Sequence, residues 1–226
     1  MFRMPAVIVQ LARIWDEIDV ATVAMEMLGT YGISNQEDFS WAVDLQPLVT
    51  MGELQDYARV ASASGVRGAK RAQEAIKLSV PNSNSPRETA VALYLGLPRR
   101  KGWAELGGFV MNQGIRLAEE QERIAGQGVV KPDFLWESKS VSVEYDSDLE
   151  HLTPQQKTKD ERRRNAMESA GYWAPTLTNG IVKDEDALNA FTAELERRMG
   201  FRRRALTRAE SERRHDLVRR LFVKDF

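Results

Sequence analysis

Between Val129 and Asp146 the chain reads VVKPDFLWESKSVSVEYD, and its acids fall where they could act together. Taken as two β-strands, 129–137 and 140–146, turning at Ser138-Lys139, this stretch is a hairpin in which opposed positions sum to 277. Phe134 then faces Val143 and Trp136 faces Val141, an apolar surface for a core. The other surface carries Lys131, Asp133, Glu144 and Asp146, with Asp133 across from Glu144 and Lys131 across from Asp146. Side chains so opposed have Cβ atoms roughly 5 Å apart. Carboxylates that close raise one another's pKa unless a cation relieves them. A hard divalent cation, Mg²⁺ or Mn²⁺, takes oxygen ligands and could there activate water and polarise a phosphodiester oxygen. Charged residues at alternate positions of a solvated hairpin, with Lys131 and Asp146 as a plain cross-strand pair, are the competing reading.

Helices and further strands must position such a hairpin. Ile8, Leu11, Trp15 and Ile18 keep helical spacing, and a second helix is expected after Asp19 as N-cap, ending at Gly29. Thr50-Met51-Gly52-Glu53 has the form of a capping box, and Gly65 and Gly68 punctuate the chain before a helix over 69–78. VPNSNSP at 80–86 has linker composition, after which Ser85-Pro86-Arg87-Glu88 opens a helix with Ser at N-cap, Pro at N1 and Glu at N3. Residues 107–117 read as a strand or hairpin, 118–128 as a charged, glycine-punctuated excursion, and 172–177 as a short strand. A polar helix spans about 153–170 and is closed by Gly171; Asp184 caps an amphipathic helix; Thr207-Arg208-Ala209-Glu210 opens a basic one. The predicted fold is a three-layer α/β domain of about four strands flanked by helices and preceded by a small helical subdomain. The expected divisions are 1–80 helical, 81–204 α/β and 205–226 a basic C-terminal helix.

The order Ser85-x-x-Glu88, Pro132-Asp133, Glu144-Tyr145-Asp146, His151 and Asp160-x-x-Arg163 resembles the PD-(D/E)xK nuclease superfamily. It looks closest to the very-short-patch-repair-like branch of bacterial endonuclease-domain proteins of unknown function. LARIWDEIDVATVAMEML and SGVRGAKRAQEAI look like the helical region that precedes the domain in such proteins, so the resemblance covers most of residues 8–200. It implies a restriction-endonuclease-like core with a mixed sheet and Mg²⁺-dependent (or Mn²⁺-dependent) hydrolysis of DNA. Asp133 would be the central metal ligand, Glu144 the second acid, and Asp146 a further ligand. Glu88 is either the helix carboxylate that points into such sites or only a capping residue. His151 is an acid or base, or a polar loop residue. Arg163 contacts phosphate, braces the acids, or pairs with Asp160. The superfamily lysine two residues after Glu144 is replaced by Asp146, with Lys131 as a stand-in from the neighbouring strand. That replacement keeps open an inactive nuclease fold serving as a DNA-binding or regulatory module in a defence or toxin–antitoxin setting. Lys157, Lys159, Arg162, Arg163 and Arg164 are expected to meet the DNA backbone, helped by Arg202, Arg203 and Arg204.

Composition bounds these readings. With 226 residues, 42% apolar and 29% charged, the chain suits one generous globular domain and a small appendage. Zero cysteines exclude disulfides and thiolate sites, and two histidines, His151 and His215, argue against a multi-histidine zinc centre. No run of about 18 apolar residues predicts a membrane span, and PAVIVQLARIW lacks a small-residue cleavage site, so a cytoplasmic protein is expected. The net charge of −1 conceals an asymmetry, since residues 197–226 hold eleven Lys/Arg against four Asp/Glu. Such a tail is either a phosphate-binding arm or an exposed helix laced with i,i+4 ion pairs.

Overall fold

The computed structural model describes residues 4–33, 41–98, 104–146, 153–202 and 204–223. The chain divides into two compact units, Met1–Leu93 and Tyr94–Phe226. In the first, α1 (Pro5–Leu11), α2 (Glu17–Leu28), α3 (Met51–Ala63) and α4 (Ala69–Leu78) pack on one another through buried alanines, and β1 (Gly32–Ile33) pairs with β2 (Trp41–Ala42) in a small antiparallel ladder. Ala21, Ala24, Ala58, Ala61, Ala69, Ala72 and Ala75 are all buried, so the helices approach closely with little side-chain entropy lost. The capping box at Thr50 and the helix over 69–78 are as expected. The first two helices differ from the sequence reading. Asp16, not Asp19, is the N-cap: its Oδ1 accepts from Ile18 N and Asp19 N at 2.9 and 3.0 Å. A carboxylate that satisfies both amides starts α2 three residues early and leaves α1 to end at Leu11.

Helix α5 (Pro86–Gly96) begins at the predicted Ser-Pro-x-Glu signal and carries the chain across the boundary between the units. In the second unit β3 (Val110–Met111) is followed by β4 (Ile115–Arg116), α6 (Glu119–Ala125), β5 (Val129–Val130), β6 (Phe134–Trp136) and β7 (Val141–Asp146). Then come α7 (Pro154–Ser169), β8 (Thr176–Thr178), α8 (Asn179–Lys183), α9 (Glu185–Arg198) and α10 (Arg208–Val218). The main sheet has the order β3-β6-β7-β8; the first two pairings are antiparallel and β7–β8 is parallel. The unit is therefore α/β, with a mixed four-stranded sheet flanked by helices. Among the described residues no helix is long and apolar enough to cross a membrane.

The predicted β6–β7 register holds: Phe134 pairs with Val143, Leu135 with Ser142 and Trp136 with Val141. The turn is longer than two residues. Glu137–Lys139 form one 3-10 turn and Ser140, at φ 50°, takes the left-handed position. One face of the pair is core, where Phe109 packs edge-on to Phe134 and Trp136 at centroid distances of 5.5 and 5.1 Å. Such pairs add about 0.5–1.5 kcal/mol beyond the buried area.

Three further segments depart from the sequence reading. Residues 107–117 are not a self-paired hairpin: the chain turns at Asn112, φ 51°, and its two strands join different sheets, β3 with β6 and β4 with β5. The charged excursion 118–128 contains α6, whose Glu119, Glu120 and Glu122 lie at its positive end and whose C-cap is Gly126 at φ 73°. The strand expected over 129–137 is cut in two around Pro132, which has no N–H for a ladder. The basic C-terminal stretch is a helix with two faces: its outer face is exposed and carries the i,i+4 pair Arg208–Glu212, as one of the two readings expected, and its inner face is packed. Leu217, Val218, Leu221 and Phe222 are buried, and Phe222 meets Tyr94 edge-on at 6.1 Å.

Candidate functional site

The acids predicted to act together lie where the β6–β7 ladder ends. Asp133 immediately precedes β6, and one further step of the observed register brings it opposite Glu144. Its Oδ2 accepts from the backbone N–H of Tyr145 at 2.6 Å, so the carboxylate is fastened to β7 itself. Glu144 and Asp146 alternate with Tyr145 along β7 and share the face opposite the aromatic core. All three acids are half-buried. On the far side of β7, the parallel strand β8 sets Thr176 beside Glu144 and Thr178 beside Asp146.

What neutralises Glu144 in this structure is Arg163. Its Nη2 donates to Glu144 Oε1 at 3.0 Å and to the carbonyl of Lys131 at 3.3 Å, while Nη1 stands 3.7 Å from Asp160 Oδ1. Both partners of the Glu144–Arg163 pair are well shielded, with side chains 31% and 25% exposed, so solvent screens them less than a surface pair. Two of the roles open to Arg163 are observed together, the brace on Glu144 and the i,i+3 pair with Asp160, of which the pair with Asp160 is the looser. Helix α7 points Arg163 at the sheet because its Ala166 and Met167, one turn on, are buried in the cluster with Leu117, Ala125, Val130 and Ala174.

The other predicted residues fall in different places. Lys131 is exposed and lies on the β5 side of Pro132, beyond the last pair of the β6–β7 ladder, so it does not face Asp146 across that ladder. Only its carbonyl joins the site. Glu88 is engaged at the start of α5, where Oε2 accepts from Asn84 N at 2.8 Å and Oε1 from Ser85 Oγ at 2.9 Å. That is the capping reading of this residue. His151 and Arg203 lie outside the described residues. Arg162 is occupied structurally: its Nε donates to Ile124 O at 2.7 Å and Nη2 to Arg123 O at 3.2 Å, which satisfies carbonyls at the end of α6. Arg204 forks onto Glu210, with one hydrogen bond of 2.8 Å. Lys157, Lys159 and Arg164 on α7, and Arg202, are exposed.

Sequence reasoning missed two members of the site, the Tyr145 amide and the Lys131 carbonyl. Backbone groups carry no residue-type signal, so only the register could have revealed them. No family model matches this chain, and neither does any curated protein or solved structure.

The donor set at Asp133, Glu144 and Asp146 is all oxygen, which suits a hard cation and no thiophilic one. Among the described residues no group of three or more His, Cys, Asp or Glu side chains is placed to hold a metal ion, so Asp133, Glu144 and Asp146 do not form the three-acid ligand set expected from the sequence. Mg²⁺ does not need three, since it commonly takes one or two carboxylates and fills the rest of its shell with water and phosphate oxygens.

Proposed function

We propose that the second unit is a nuclease-like domain with a restriction-endonuclease-like core that hydrolyses phosphodiester bonds in DNA with Mg²⁺ or Mn²⁺. The observation that carries this reading is the β6–β7 register, which leads Asp133 and Glu144 to opposed positions on two adjoining strands. The strand–strand–strand–helix–strand order, with β8 parallel to β7 across α7, supports the fold assignment. Asp133 and Glu144 would hold the cation and Asp146 assist, the ion supplying charge for a phosphoryl oxygen and an acidified water. This chain's own groups do the positioning. The Tyr145 amide orients the Asp133 carboxylate, and Arg163 fixes one oxygen of Glu144. Lys157, Lys159 and Arg164 offer exposed positive charge on α7 for backbone phosphates.

The Arg163–Glu144 pair favours a second reading as well. A guanidinium already gives Glu144 the positive charge that two close acids require, and Asp146 stands where the superfamily has its lysine. Such a site suits an inactive nuclease fold that binds DNA or regulates. A plasmid-nicking assay with Mg²⁺ or Mn²⁺ separates the two. The wild type nicks and Asp133→Asn and Glu144→Gln lose at least about 100-fold, the scale of deleting one preorganised charged group. Equal background cleavage by all three proteins would remove the catalytic reading and leave the binding one.

A further inference from the structure

We propose that the helical unit carries a separate phosphate-binding cavity, formed by the end of α1 and the α3–α4 turn, that takes a backbone phosphate of duplex DNA. The proposal rests on the reading that this chain meets DNA, but not on cleavage. The cavity measures about 470 Å³, and its walls include Arg13, Arg67, Lys70 and Arg71 with no acid among them. Residues 1–93 contain eight Lys/Arg against eleven Asp/Glu, so half the cations of a net acidic unit converge on this one hollow.

Arg71 is committed to the fold, since its Nη1 donates to Ala12 O at 3.1 Å and Trp15 O at 2.9 Å, closing the carbonyl end of α1. The other three are different. Among the described residues, no ion pair or side-chain hydrogen bond holds Arg13, Arg67 or Lys70, and all three are exposed around the opening. Gathered cations without a counter-charge repel one another, and an anion removes that cost.

The backbone is shaped for close approach. Gly65 and Gly68 have φ of 71° and 92°, and a Cβ on Gly68 would come within 2.6 Å of Val9 O and 2.9 Å of Arg13 Cγ. Glycine there lets α1 lie against the turn and brings Arg13 to the same hollow as Arg67 and Lys70. No side chain caps the start of α4 behind them. A small metabolite would need several convergent polar groups to fix its orientation. Among the described residues of the lining, Ser62 is the only uncharged polar side chain, which suits a bare phosphodiester read by charge alone.

The test is fluorescence anisotropy of the full chain on a labelled duplex in EDTA across a salt series. Removing three phosphate contacts, Arg13→Gln/Arg67→Gln/Lys70→Gln weakens binding at least about 10-fold and shrinks the slope of log K against log salt by about 2–3. Arg13→Lys/Arg67→Lys keeps most of the affinity, and a melting curve like that of the wild type shows the triple variant folded. Wild-type affinity and slope in the triple variant overturn the proposal, even where Lys157→Gln/Lys159→Gln/Arg164→Gln abolishes binding. Wild type without measurable affinity overturns it and the DNA reading together. Inorganic phosphate that raises the melting temperature of the wild type alone, with DNA binding equal in both, assigns the hollow to a free anion and also overturns it. Loss of nicking with binding intact touches only the catalytic reading.

Discussion

Glu144 is the residue on which the two functional readings divide, because the proposed divalent ion would compete with Arg163 for its charge. The present pairing answers the electrostatic problem that two adjoining acids pose, and it does so with a guanidinium fixed by α7. Replacing Arg163 by Met removes a charge-assisted hydrogen bond of a half-buried pair, a loss of about 1–3 kcal/mol. In EDTA the Arg163→Met protein is therefore expected to melt several degrees lower than the wild type. Added Mg²⁺ then raises its melting temperature more than it raises that of the wild type, because a ligand that binds only the folded state stabilises it. Arg163→Met/Glu144→Gln loses that extra rise. Differential scanning fluorimetry with and without Mg²⁺ measures all three, and no metal response in any of them argues for an acid pair served by arginine alone.

The elements are set chiefly by their caps. Asp16, Thr50, Thr153, Thr178, Asp184 and Thr207 each accept backbone N–H bonds at a helix start, and most of these boundaries are plain in the sequence. The last cap has a pH consequence. Hydrogen bonding from Arg204, and then from Thr207, holds the Glu210 carboxyl down to about 2 from an ordinary 4.5. A depressed carboxyl contributes stability above its unfolded value and loses it as the folded form takes up its proton. The anchoring of α10 is thus complete above about pH 4.5 and disappears toward pH 2. Glu194, held to about 2 by Arg197 and Arg198, titrates over the same range on the surface. Glu210→Gln should accordingly melt lower at neutral pH and show a flatter melting-temperature profile between pH 5 and 2. A profile parallel to that of the wild type would show that Glu210 does not anchor the helix.

For the whole molecule, the C-terminal region belongs to the core of the second unit. Arg214 is 2% exposed, donates to Asn189 Oδ1 at 2.7 Å and lies over the ring of Tyr94. Truncation after Gly200 removes Leu217, Val218, Leu221 and Phe222 as well as the basic charge. Each buried apolar side chain is worth about 1.5–3 kcal/mol, against a total stability of about 5–15 kcal/mol. The truncated chain is expected to lose cooperative unfolding by circular dichroism, so any loss of DNA binding in it would report on folding. A truncated protein with a sharp, wild-type transition would return the tail to the surface.

The sequence alone determined the helix starts at Thr50, Pro86, Thr153, Asp184 and Thr207, the Ser-Lys turn region and the register that pairs Phe134 with Val143. Caps and alternation are local, written in residues three or fewer apart, and local physics suffices to read them. Where a segment pairs is not local. The separation of β3 from β4 and the burial of Arg214 depend on partners far along the chain. Arg163 shows the same limit at the site: its type and spacing allowed three roles, and only the packing of α7 against the sheet turned its guanidinium onto Glu144. A charged side chain of that length reaches several partners, and tertiary packing alone selects among them.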